Sequence, residues 1–121
     1  MHYAAKAYVK TARETASPRK LEADLLLQAA AKLQAVYDAW KDKPNGLSDA
    51  LMYNRRLWMV FIDAASRDDN RLPVALRDNL VKIGAFVLGE TFSLMTKPKP
   101  NHLNNIIRIN RRIAAGLRGR A

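Results

Sequence analysis

The chain contains no cysteine. Disulfides and thiolate metal sites are therefore excluded, and a reducing compartment suits it. Histidine is scarce: His2 and His102 stand alone, outside an HExxH or related pattern. No GxSxG nucleophile elbow occurs. Acids are few, 11 against 21 lysines and arginines, and most have basic neighbours. Asp68-Asp69 lacks the alternating ligands of a calcium loop. Gly84 to Thr91 copies the spacing of a phosphate loop, but Glu90 stands at the lysine position and would repel phosphate. These absences predict no enzyme, no cofactor and no bound metal. No run of apolar residues is long enough for a membrane span. The opening MHYAAKAYVK has no apolar core of the signal-peptide kind.

What is present argues for a folded helical protein. Hydrophobic residues make up 49% of the 121, which is compatible with a core and not with disorder. One domain is expected at this length, with about two thirds of the unfolded surface buried. No strand-like alternation is visible, so the predicted class is all-α, a compact bundle of about five helices. The formal net charge is +10, and from Lys97 onward there are seven cations and no acid. Such a basic end suits nucleic acid, an acidic partner, or solubility alone.

The organising stretch is LSDALMYNRRLWMVFIDAA, residues 47–65. On a helix, Leu47, Ala50, Leu51, Leu57, Trp58, Phe61, Ile62 and Ala65 share one broad face. Asp49, Arg56 and Asp63 form a thin stripe opposite, flanked by Met52, Met59 and Val60. Ser48 is the expected N-cap. Residues 3–15 read as a weak amphipathic helix whose apolar side is mostly alanine, able to dock loosely or to pack as an ordinary first helix. Ser17-Pro18 signals the start of a helix to about Trp40, burying Leu21, Leu25, Leu26, Ala29, Leu33, Val36, Tyr37 and Trp40, with Leu27 on the polar side.

Pro73 opens a helix to about Thr96. Its inner side is Leu76, Leu80, Ile83, Gly84, Val87, Thr91 and Leu94, with Leu88 and Met95 beside it and Phe86 projecting outward. Gly84 in mid-helix predicts a close helix contact. Lys97-Pro98-Lys99-Pro100 is a stiff linker. Asn101 is the expected cap of a basic C-terminal helix, residues 102–117, with Leu103, Ile106, Ile107, Ile113, Ala114 and Leu117 in its stripe.

Two asparagines interrupt apolar stripes, in the repeats Asn54-Arg55-Arg56 and Asn110-Arg111-Arg112. Buried amides need partners. Either Asn54 and Asn110 meet and fix the register of two helices, or each bonds separately to a backbone carbonyl. Methionines and aromatics on polar flanks suit an adaptable peptide-binding surface, unless neighbouring helices cover them. Tyr3, Tyr8, Met52, Met59 and Phe86 are the candidate contacts. Arg108, Arg111, Arg112 and Arg118 form a candidate basic surface, without an aromatic for base stacking on the same helix.

Several segments in order carry a family resemblance: YAAKAY at 3–8, ASPR at 16–19 leading into LEA at 21–23, AAKLQ at 30–34, LMYNRRLW at 51–58 and INRRIAAGL at 109–117. Together they resemble FlaF, the flagellar biosynthesis regulators of alphaproteobacteria, over nearly the whole chain. The resemblance implies a small cytoplasmic helical protein that serves flagellin production and export as a flagellin chaperone. FlbT, a regulator of flagellin messenger RNA translation, is an implied second partner, and direct RNA binding is the alternative. The resemblance implies no catalytic or binding residues. Flagellin ends are amphipathic helices, and a helical bundle with a groove can cover such a face.

Overall fold

A computed structural model describes residues 18–40, 45–67 and 72–119. They form four helices and no strand: α1 Pro18–Asp38, α2 Leu47–Ala65, α3 Val74–Thr96 and α4 Pro100–Leu117. The expected helix at 3–15, with Tyr3 and Tyr8, lies outside the described residues, and so do Ser17 and Asp68-Asp69. No helix among the described residues is long and apolar enough to cross a membrane.

The helices close into a ring. α1 packs on α2, α2 on α3, α3 on α4, and α4 back on α1. Helices across either diagonal have no close backbone approach. The α1–α4 seam is the most extensive and the α3–α4 seam the least. Short connections make consecutive helices antiparallel, as in an up-down-up-down bundle.

One core fills the ring. α1 supplies Ala23, Leu26, Ala30, Leu33 and Val36; α2 supplies Leu47, Ala50, Leu51 and Trp58; α3 supplies Val87 and Leu94; α4 supplies Leu103, Ile106, Ile107 and Ala114. Trp58 is the largest fully buried side chain and meets Phe61 edge-on, with ring centroids 5.9 Å apart. Leu27 packs against this core from the flank of α1.

Gly84 makes the α2–α3 approach possible. A Cβ there would stand 2.6 Å from Ile62 Cδ1 and Cγ1 and 3.3 Å from Trp58 Cε3. A larger substituent would require the Ile62 side chain to shift.

Three local expectations need correction. Ser48 is not the N-cap of α2: helix begins at Leu47, and Gly46 precedes it with φ +79°. Glycine adopts that left-handed conformation without a steric penalty, so the chain turns one residue earlier and Ser48 falls inside the first turn. Asn101 likewise does not cap α4, because Pro100, whose ring presets φ, already begins the helix behind Lys99. Leu76 faces water at 42% exposure. It sits in the first turn of α3, at the end of the ring, where no neighbouring helix covers it.

Candidate functional site

Two kinds of feature stand out, a buried polar junction and an exposed apolar face. The junction joins α2, α4 and α1. Asn110 Nδ2 donates to Asn54 Oδ1 at 2.7 Å and to the Leu26 carbonyl at 3.3 Å. Trp58 Nε1 donates to Asn110 Oδ1 at 2.9 Å. Both amides are fully buried. Asn110 is therefore the hub, while Asn54 Nδ2 has no partner among the described residues. A buried donor left this way costs about 1–3 kcal/mol. The side chains bridge the diagonal of the ring, where the backbones stay apart.

The candidate contact residues do not gather in one groove. Met52 lines a cleft of about 630 Å³ between α1 and α2, with Lys32, Val36, Tyr53 and Arg56. In that cleft Lys32 Nζ stands 5.1 Å from the centre of the Tyr53 ring. Burial raises the Tyr53 pKa above its ordinary value. Met59 lies elsewhere: it is one turn before Ile62, the residue that meets Gly84, and so flanks the α2–α3 seam. Phe86 lies on the α4 flank of α3, one turn before Glu90, whose Oε2 is 2.7 Å from His102 Nδ1 of α4.

Among the described residues, most of the exposed large hydrophobic side chains lie on α3. Phe92 is 70% exposed, Phe86 51% and Met95 49%. Phe86 and Phe92 point about 120° apart around the helix, one on each side of its outermost line. Gly89 lies between them, and no atom of the described residues comes within 4 Å of the place of its missing Cβ. Leu88, Phe92 and Met95 share one flank, on the α2 side. Met95 also lines a second cavity of about 310 Å³ with Leu47, Leu51, Leu94 and Pro98. Sequence reasoning missed Phe92 altogether. Its i+4 and i−3 spacing to Leu88 and Met95 was the available signal.

The candidate basic surface is largely engaged within the protein. Arg118 pairs with Asp24 of α1. Arg111 donates to Gln34 Oε1 at 3.1 Å and Arg108 to Asn105 Oδ1 at 2.8 Å. Arg112 is exposed and makes no ion pair among the described residues. These arginines tie α4 to α1 more than they form a free phosphate-binding row. No group of three or more His, Asp or Glu able to hold a metal occurs among the described residues.

Comparison with known proteins gives one family. The model of the family described as flagellar protein FlaF matches residues 4–117. No curated protein and no solved structure matches the chain. The family match spans the four described helices and the buried junction, so the chain belongs to the FlaF family of flagellar proteins.

Proposed function

We propose that this chain works in flagellar biosynthesis as a cytoplasmic export chaperone that binds flagellin and catalyses no reaction. The family supplies the flagellar context. The observation that carries the reading is the apolar exposure on α2 and α3: Met59, Val60, Phe86, Phe92 and Met95 face water although the ring has already filled its core. Exposed apolar residues grouped on one helix, as Phe86, Phe92 and Met95 are on α3, suit a contact surface. Methionines beside aromatics let such a surface adapt to a partner helix, because the thioether chain is flexible and polarisable.

Size-exclusion chromatography with purified monomeric flagellin tests the reading. A one-to-one complex that persists at about 0.5 M salt, where exposed charges are strongly screened, is expected. Absence of a complex, or one that salt abolishes, overturns the chaperone reading and turns attention to FlbT or RNA. The intramolecular engagement of Arg111 and Arg118 weighs against RNA.

A further inference from the structure

We infer that the outward face of α3, centred on Gly89 between Phe86 and Phe92, is the docking surface, and that its occupant is an amphipathic partner helix bordered by acidic residues. The inference rests on the chaperone reading only for the partner's identity.

Apolar anchors come first. Phe86 and Phe92 stand on either side of Gly89, and Met95 extends the Phe92 flank toward α2. A glycine in mid-helix weakens the helix. Gly84 has a packing reason, since Ile62 and Trp58 occupy the space. Gly89 has none among the described residues, because none of them comes within 4 Å of its Cβ position. An incoming helix would find the closest approach there, with a phenylalanine on each side as anchors.

Charge then selects the occupant. Around this face the exposed cations are Lys82 at one end, Lys97 at the other and Arg55 on the α2 side. None makes an ion pair among the described residues. Of the acids of the same stretch, Glu90 is engaged with His102 and Asp63 with Arg67 at 3.0 Å, while exposed Asp78 stands one turn before Lys82 and offsets its charge. The surface is thus apolar in the middle and positive on its Lys97 and Arg55 borders. Acidic flanks complement it, and basic flanks are repelled. A second copy of this chain, itself strongly basic at +10, is a poor occupant.

Two synthetic helical peptides with the same Leu/Ile stripe, one flanked by Glu and one by Lys, are the probes. Binding to the full chain is read by fluorescence anisotropy at low salt, alongside complex formation with purified flagellin. The Glu peptide is expected to bind about tenfold or more tightly than the Lys peptide. Gly89→Leu should abolish that binding while leaving the thermal midpoint unchanged or raised, since a Cβ at this position meets no atom among the described residues. Phe92→Ser should weaken it, and Arg112→Ser on α4 should not. Equal binding of the two peptides, or binding unaffected by Gly89→Leu, overturns the inference. So does a dimer of this chain that Phe92→Ser dissolves. If flagellin binds and Gly89→Leu leaves that complex intact, this surface is wrong and the chaperone reading stands. If the Glu peptide binds here and flagellin does not, the surface stands and the chaperone reading falls.

Discussion

Asn110 and Asn54 are joined by a 2.7 Å hydrogen bond across the diagonal of the ring, between helices whose backbones do not approach each other. The two amides are unequal. Asn110 satisfies Trp58, Asn54 and the Leu26 carbonyl, whereas Asn54 contributes one acceptor and leaves its own donor unpaired. Asn110→Leu strands the indole N–H and the Asn54 carbonyl together. We expect it to cost about 2–4 kcal/mol in urea unfolding. Asn54→Leu removes an unpaired donor along with the acceptor and should cost about 1 kcal/mol or less. Equal losses from the two variants would refute this account of the junction.

Two glycines in one helix give opposite expectations. Gly84→Ala forces a methyl against Ile62, with Trp58 immediately behind. The gain in helix propensity, up to about 1 kcal/mol, is outweighed by overpacking of about 1–3 kcal/mol. Ile62→Val should relieve part of the strain, giving a favourable coupling in a double-mutant cycle. Gly89→Ala meets nothing and should stabilise by about 0.5–1 kcal/mol. A thermal melt of each variant decides both.

Glu22 supplies a pH dependence. Burial pushes its pKa up, opposed by the nearby positive charge of Arg19. A carboxyl that is harder to ionise when folded favours the native state in its protonated form. That contribution is present below the unfolded pKa and is lost as pH rises through the folded pKa. Glu22→Gln should therefore be more stable than the parent chain at neutral pH, with the difference vanishing in acid. Chemical denaturation of both proteins across that range checks the sign, and a Gln variant no more stable at neutral pH would contradict it.

The arginines of α4 predict a modest structural effect. Arg118 and Arg111 reach α1 through Asp24 and Gln34 at partly exposed positions. Removing either should cost about 1 kcal/mol or less, because such surface pairs are screened. Raising salt should shrink the Arg118→Ala effect more than the Arg111→Ala effect, since only the first breaks an ion pair. Unfolding at two ionic strengths reads the difference.

Helix stripes were legible because burial in a bundle repeats with the helical period. Asn54, Asn110 and Gly84 were conspicuous for the opposite reason: each breaks the pattern of its own stripe, and each proves to sit at an interhelical contact. Caps were less legible. Ser48 and Asn101 have suitable side chains, but Gly46 and Pro100 decide where the backbone enters the helix. The exposed face was hardest to read. Met52, Met59 and Phe86 all lie on polar flanks of their helices, yet the ring turns them toward three different seams. Phe92 escaped notice because a single wheel does not reveal which neighbour is missing.

The pairing of α1 with α4 also sets the order in which the protein can assemble. Asp24 and Arg118 are 94 positions apart, and Gln34 and Arg111 are 77 apart. On a ribosome, α1, α2 and α3 emerge while α4 is still being made. During that interval Leu26, Ala30 and Leu33 lack the residues of α4 that will cover them, and Trp58 lacks the acceptor for its indole. Closure is the last and longest-range event in folding, and contacts of such separation form slowly. Losing α4 late in translation would therefore open the whole ring rather than shorten it by one helix.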